Sequence, residues 1–352
     1  MFHRFVCLAA VAIAVPVLAD VPAPVGQVTL PGPGNGNTFT VSARYSADGQ
    51  LYVWDGANIL YETTPGARPF TILSPGGIGS GSADTAAINF TSDGSTVVVG
   101  NGAGGLAGAI DPSDPSNGLI FTIPIGGGTS HQSADVNDHV DFIPLPSIST
   151  LANAHQKMLV DEGAPGLTSA VSIVDLTSGA NTAIITSIPG AGTSLAMDGA
   201  NRLYVGIGYD GKTTGSHRGD IRRFDWTAVE TAFLNHTPLD WTAGQLFNSP
   251  TNNNSGAGMF FDSRGYLFVG GNEGVAVFAP DGTGQVYDLG LGYVTLTYNP
   301  AADQFFAKPF SGDTLNVYNA AAFVPEPAAL LLPALAALGL LRRRRAGARR
   351  TA

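Results

Sequence analysis

The sequence predicts an all-β fold, a β-propeller of six blades with about four strands in each. Gly is abundant, at 46 of 352 residues, and only 12% of the residues are charged, a composition typical of short strands joined by tight turns. An apolar strand, an Asp-Gly type turn and a strongly β-forming strand recur along the chain. A spacing of about 40 to 50 residues between such repeats is typical of propeller blades.

The repeated turns define the predicted blades. Asp48 and Asp93, each followed by Gly, lie 45 residues apart. Later copies turn at Asp198, Asp262 and Asn299, and the gap before Asp198 leaves room for one degenerate copy. Candidate strands for that copy are 139–142, 157–160 and 171–174.

The two ends of the predicted body, residues 20–324, complement each other. The sixth copy stops after three strands, at residues 315–318, whereas residues 25–30 form a spare strand ahead of the first copy. We expect the spare strand to complete the last blade and close the ring, which removes exposed sheet edges. Solenoids and paired β-sandwiches share the Gly-rich turns and alternating strands, and seven or five blades are alternatives to six.

The N-terminal segment, residues 1–19, has the features of a secretion signal peptide. Arg4 gives it a positive start, an apolar run covers residues 5–18, and small residues precede a cleavage point after Ala19. The apolar run is shorter than the roughly 20 residues that a membrane-spanning helix needs. We therefore expect export and cleavage after Ala19.

The C-terminal segment, residues 325–352, combines Pro325-Glu326-Pro327, an apolar run and an arginine cluster. This order resembles the PEP-CTERM sorting tail of exported bacterial proteins. The resemblance implies recognition of the Pro-Glu-Pro motif by an exosortase, a membrane enzyme, and transfer to the cell surface. The arginines resist translocation and stop the apolar run in the membrane; an uncleaved single-span anchor is the alternative. The predicted anchor stop consists of Arg342, Arg343, Arg344 and Arg345.

The composition of the body excludes several kinds of site. Cys7 is the only cysteine and lies within the predicted signal peptide, so the mature body has no disulfide and no thiolate metal site. Of the 17 basic residues, seven lie in the two terminal segments, which leaves ten (17 − 7) in an acidic body. Such a body repels nucleic acid.

One acidic cluster is a candidate calcium site. Aspartate and asparagine oxygens are ligands that Ca²⁺ prefers, and they are dense between residues 135 and 141. The cluster lacks the central Gly and the bidentate Glu of an EF-hand, and a solvated turn is the alternative. No other cofactor is indicated. The candidate ligands are Asp135, Asn137, Asp138 and Asp141.

The body also resembles six-bladed propellers of the NHL and gluconolactonase-like kind, although only in its pattern. For the lactonases, the resemblance implies a divalent metal held at the channel by Glu, Asn and Asp. No motif places those ligands in this sequence, and Glu273 is the best single candidate.

Three functions follow as alternatives. The first is a non-enzymatic protein of the cell surface or extracellular matrix that binds polysaccharide or another surface protein. Trp226 and Trp241 are candidates for stacking on sugar rings, and packing between blades is the alternative for both. The second is a metal-dependent hydrolase or lactonase, and the third is a purely structural surface component. The lack of a catalytic constellation favours binding, although fold alone does not decide between them.

Overall fold

The strands of the computed structural model fall into six sheets that form the blades of a ring. The structure describes residues 21–31, 42–54, 58–64, 70–74, 88–101, 119–128, 131–135, 141–162, 168–190, 194–208, 219–249, 258–272, 274–309 and 312–324. The ring is a six-bladed β-propeller, which confirms the predicted fold class.

Each blade has four antiparallel strands from the channel to the rim, and the sheet of blade three carries a fifth strand, which is parallel, at its outer edge. The innermost strands of blades one to six are β2 (Ser42–Tyr45), β6 (Ile88–Phe90), β10 (Phe142–Pro144), β14 (Ser194–Met197), β19 (Met259–Phe261) and β23 (Val294–Asn299). The second strands are β3 (Leu51–Trp54), β7 (Thr96–Asn101), β11 (Lys157–Glu162), β15 (Arg202–Gly206), β20 (Leu267–Gly271) and β24 (Gln304–Pro309). The third strands are β4 (Ile59–Tyr61), β8 (Leu119–Pro124), β12 (Thr168–Asp175), β16 (Ile221–Asp225), β21 (Gly274–Phe278) and β25 (Thr314–Asn319). The outermost strands are β5 (Thr71–Ser74), β9 (His131–Asp135), β13 (Asn181–Pro189), β18 (Gln245–Asn248), β22 (Gly284–Tyr287) and β1 (Gly26–Thr29).

The N-terminal strand closes the ring, as predicted. β1 pairs antiparallel with β25, so the outermost strand of blade six comes from the start of the body. The Leu30 N–H donates to the Asp313 carbonyl at 2.7 Å, and Gln27 Nε2 donates to Asn316 Oδ1 at 2.8 Å. The two ends of the body are therefore held in one blade.

Six clusters of buried apolar side chains fill the six interfaces between neighbouring blades. Strand alternation explains how one strand serves two interfaces. In β7, Val97 and Val99 pack towards blade one, whereas Val98 packs towards blade three. Central strands are thus buried on both faces, and this explains their uninterrupted apolar runs.

The predicted Asp turns join first to second strands on one side of the ring, which we call the turn face. At the blade-five turn, Asp262 Oδ1 accepts the N–H groups of Arg264 at 3.0 Å and Tyr266 at 2.8 Å. Gly265 completes the turn at a φ of 83°, which side chains rarely adopt. Arg264 also bridges to Asp303 of blade six at 3.2 Å, so the turn face links adjacent blades.

Blade four departs from the regular pattern. Between β16 and β18 the chain forms helix α1 (Trp226–Asn235), then β17 (Leu239–Asp240), which pairs in parallel with β13 of blade three. Trp226 and Trp241 are buried in the apolar cluster between these blades, so their rings form part of the core and are not exposed for stacking on sugars. Short 3₁₀ helices lie at Ala154–Gln156, Trp241–Ala243 and Ala320–Phe323.

An ion pair in blade three gives the body a pH-dependent contact. Lys157 Nζ donates a hydrogen bond to the Asp175 carboxylate, and the N–H groups of Thr177 and Ser178 donate to the same side chain at 2.9 Å each. Burial alone would raise the pKa of Asp175, but these hydrogen bonds lower it to about 2.

We expect Asp175→Asn to destabilise the protein at neutral pH and to have little effect near pH 2. A carboxyl whose pKa falls from 3.8 to about 2 on folding stabilises the folded state above about pH 4, and this contribution is lost as the pH falls towards 2. Because solvent screens this partly exposed pair, the expected loss at neutral pH is about 1–2 kcal/mol. Urea unfolding across this pH range measures the difference. Lys157→Met should lose the same pH-dependent part of the free energy of unfolding. If Asp175→Asn still differed from the native chain at low pH, the assignment of this effect to the ionised Asp175 carboxylate would be contradicted.

Candidate functional site

Three polar residues lie in or directly before the innermost strands of consecutive blades, which surround the central channel. They are Arg44 in β2, Asn89 in β6 and Asp141 directly before β10, and we call them the channel group. Ala43 and Tyr45 pack into the cluster between blades six and one. Because side chains alternate along a strand, Arg44 between them points away from that cluster.

Asn89 and Asp141 each connect their own blade to the next one. Asn89 Nδ2 donates to the Phe142 carbonyl at 2.5 Å, and Asn89 Oδ1 accepts the Phe90 N–H at 2.9 Å. Asp141 Oδ2 accepts the Leu195 N–H at 2.9 Å. These bonds fix the Asn89 amide and one oxygen of the Asp141 carboxylate.

The charges of Arg44 and Asp141 are close enough to shift each other's pKa. Blades one and three are not neighbours, so this interaction does not run through a blade interface. Burial lowers the pKa of the Arg44 guanidinium, and the attraction of Asp141 only partly reverses this. Burial likewise raises the pKa of Asp141, against the effects of Arg44 and of the Leu195 and Phe142 N–H groups. Arg44 and Asp141 both belong to the described residues, and each keeps some exposure to solvent. They form no salt bridge with each other.

Two further ionisable groups lie close to the innermost strands. Asp161 in β11 is fully buried, and its N–H donates to the Asp141 carbonyl at 2.8 Å. Directly opposed residues of an antiparallel pair present their side chains on the same face of the sheet, so Asp161 and Asp141 lie on one face of blade three. Tyr293 precedes β23 in blade six, and burial raises its pKa to about 12.

The candidate calcium ligands lie in two blades. Asp135 is the last residue of β9 in blade two, and Asp141 belongs to the channel group. Asn137 and Asp138 lie outside the described residues. Within the described ranges, no group of three or more His, Cys, Asp or Glu side chains is arranged to hold a metal ion. The four-residue calcium site stays a prediction.

The channel group does not fit the divalent metal that the lactonase resemblance implies. A metal needs oxygen ligands with free lone pairs and no competing cation. Asn89 Oδ1 already uses one of its two lone pairs on a backbone N–H, and the positive charge of Arg44 acts on Asp141 and opposes a second cation there. Glu273, the candidate carboxylate, lies outside the described residues. Sequence reasoning missed Arg44 and Asn89. Arg44 could have been found, because a charged residue stands out within the alternating pattern of β2.

A second concave surface, which we call the helix groove, lies beside α1 with a volume of about 570 Å³. Thr231 Oγ1 donates to the Thr227 carbonyl at 2.7 Å, so the hydroxyl oxygens on this side of the helix can still accept hydrogen bonds. The opposite side of α1 is fixed to blade three, because Glu230 accepts the Thr150 N–H at 2.7 Å. The groove is lined by Asp225, Thr227, Ala228, Thr231, Ala232, Asn235, Thr237 and Leu239.

Comparison with protein families identifies the C-terminal segment. Residues 323–345 match the family model of the PEP-CTERM protein-sorting motif. The chain carries a PEP-CTERM sorting motif. This motif indicates an exported protein with a C-terminal membrane anchor before processing of the exosortase type. The Pro-Glu-Pro residues and the arginine cluster themselves lie outside the described residues. In the described part of the chain, no helix has the length and apolar character needed to cross a membrane.

Solved structures with the same fold include a gluconolactonase, a protein that carries the name putative gluconolactonase, and a regucalcin. A protein named as a gluconolactonase has a TM-score of 0.53 and 14% identity, over 86% of this chain and 97% of that one. A gluconolactonase from Xanthomonas campestris has a TM-score of 0.51 and 15% identity, over 84% and 92%. Regucalcin from Agrobacterium tumefaciens, described as a calcium-binding protein, has a TM-score of 0.50 and 13% identity, over 81% and 85%. At these identities the likeness shows the fold alone. No curated protein sequence matches the chain.

Proposed function

We propose that this PEP-CTERM protein is an envelope protein whose propeller binds a polysaccharide or another surface protein. The C-terminal segment holds the protein at the membrane until an exosortase-type enzyme processes it. The observation that carries this proposal is the sorting motif at residues 323–345, directly after a closed propeller. A ring that leaves only short sheet edges at its rim suits a protein that works outside the cell, because long open edges invite aggregation.

The position of the chain ends supports a body presented for binding. β1 is the outermost strand of blade six, and Phe323 is buried in the cluster between blades five and six. The predicted tail therefore joins the body at its rim. Attachment there leaves the channel and the helix groove of blade four away from the tether. The hydroxyl and amide groups in that groove are suited to a hydroxyl-rich polymer.

The terminal segments have separate roles in this proposal. Residues 1–19 direct export, and cleavage follows Ala19. Pro325, Glu326 and Pro327 are the residues that the processing enzyme recognises. The cluster Arg342–Arg345 stays on the cytoplasmic side and stops translocation.

The anchoring role is tested by deleting residues 325–352 from the full chain in a bacterium that has an exosortase. We expect the deleted protein in the culture medium, whereas the intact protein fractionates with the envelope. The matched control replaces Pro325, Glu326 and Pro327 together by Ala; it should keep its tail and stay in the membrane as the longer form. Retention of the deletion variant in the envelope would refute the anchor, and normal processing of the Ala variant would refute the motif's role.

The binding role is tested on cells that lack the gene. The purified full chain is mixed with exopolysaccharide, or with cell surfaces prepared from those cells. Co-sedimentation of the chain with either material is then measured. Saturable binding to either supports the proposal. Absence of binding to both would leave a purely structural component and refute the binding role.

A further inference from the structure

The folded body ends in a buried turn directly before the sorting motif. The 3₁₀ helix Ala320–Phe323 follows β25, and its first and last side chains are fully buried. Val324 packs against the same cluster of apolar side chains between blades five and six. Pro325, the first residue of the Pro-Glu-Pro motif, follows Val324 directly in the sequence. The packed end of the body and the motif are therefore adjacent. We call residues 320–324 the C-terminal latch.

Two blades hold the C-terminal latch in place. The Ala320 N–H donates to the Asp303 carbonyl of blade six at 3.0 Å. The Tyr287 hydroxyl of blade five donates to the Phe323 carbonyl at 2.7 Å. Three aromatic rings, one from blade five and two from blade six, contact the Phe323 ring. Because release of the latch exposes a buried ring and breaks both hydrogen bonds, the latch opens far less often than an unattached chain end.

The motif cannot move far from the body while Phe323 stays buried. An extended chain spans at most about 3.6 Å per residue, so residues 325–327 stay within about 11 Å of Val324. On the other side of the motif, the apolar run of the tail begins at Ala328. Peptide recognition commonly uses an extended segment held in a groove or along a sheet edge. The folded body and a processing enzyme therefore compete for the space around the motif.

We propose that the C-terminal latch is an autoinhibitory contact, which withholds the motif from the processing enzyme until Phe323 leaves its aromatic surroundings. This inference rests on the proposed sorting function. Processing occurs only in the fraction of molecules whose latch is open, and the processing rate follows that fraction. A body whose fifth and sixth blades are fully packed therefore keeps its membrane anchor longest.

The test follows conversion of the full chain from its longer to its shorter form by pulse-chase labelling, in a bacterium that has an exosortase. A Gly-Ser linker of about ten residues is inserted between Val324 and Pro325, and such a linker has an average span of about 17 Å. The insertion moves the motif away from the body and leaves every residue of the latch in place. We expect the processing rate to rise at least about tenfold.

Two substitutions separate release of the latch from general unfolding. Phe323→Ala should also raise the processing rate at least about tenfold, and it should have no further effect in the chain that carries the linker. The matched control is Phe142→Ala, which removes another fully buried phenylalanine ring, in the cluster between blades two and three. This control leaves the latch intact, so its processing rate should stay near that of the native chain.

Two results would overturn the proposal. If the native chain and the linker chain were processed at equal rates, the motif would be accessible beside a closed latch. If Phe142→Ala accelerated processing as much as Phe323→Ala, general unfolding would set the rate. A further arm replaces Pro325, Glu326 and Pro327 by Ala in the linker chain, which should stop processing. Continued shortening of that chain would refute the sorting function, whereas equal rates with an intact motif would refute only the latch.

Discussion

Deleting residues 25–30 should lower the free energy of unfolding by about 5 kcal/mol or more. The deletion removes the whole of β1 and its ladder with β25. It also removes Leu30, which is 2% exposed, and uncovers Leu315, which is 1% exposed, in the cluster between blades six and one. Loss of one buried leucine costs about 2–5 kcal/mol, and each lost ladder hydrogen bond adds about 1 kcal/mol. Chemical unfolding of the full chain in detergent measures the change.

The same deletion leaves β25 as an open edge, so we also expect self-association by size-exclusion chromatography. The matched control is Gln27→Ala, which removes only the hydrogen bond to Asn316 and should cost about 1 kcal/mol. A deletion variant that stays monomeric and within about 1 kcal/mol of the native chain would show that β1 does not close the ring.

Phe323→Ala should cost about 3–5 kcal/mol, the usual range for a buried phenylalanine. The ring is fully buried and makes edge-on contacts with Tyr287 at 4.8 Å, Phe305 at 4.9 Å and Tyr318 at 5.6 Å between ring centroids. Replacement by Ala leaves a cavity where blades five and six meet, directly before the sorting tail. Thermal and urea unfolding of the full chain measure the loss.

The control for this substitution separates ring packing from hydrogen bonding. Tyr287 Oη donates to the Phe323 carbonyl at 2.7 Å, so Tyr287→Phe removes that bond and keeps both rings. It should cost about 1–3 kcal/mol, since a buried carbonyl loses its donor. If Phe323→Ala proved milder than Tyr287→Phe, the aromatic cluster would not be the contact that holds the C-terminal end.

The regular blades were predictable because their turns are encoded locally. Asp262 itself accepts the N–H groups of Arg264 and Tyr266, so the residue that marks the turn in the sequence also forms it. The closing strand was predictable for a related reason: an unpaired strand at one end matched a three-stranded blade at the other. The turns can be predicted from a local sequence pattern, and the closing strand from a count of strands.

The unpredicted parts depend on helical spacing or on distant partners. Trp226, Val229 and Phe233 pack together against the cluster between blades three and four, and their spacing is that of a helix face. A search for alternating strands does not detect that spacing. Arg44 and Asp141 lie on different blades, with no shared motif, so only the closed ring brings their charges together.

The position of β25 between β24 and β1 has a mechanical consequence. A pull on the chain beyond Val324 must first draw Phe323 from its aromatic surroundings, and it then acts along the length of β25. The ladder hydrogen bonds on both sides run perpendicular to the strand, so the load falls on all of them at once, in shear. A force on the C-terminal tail is therefore resisted by the strand that β1, from the start of the body, holds in its sheet.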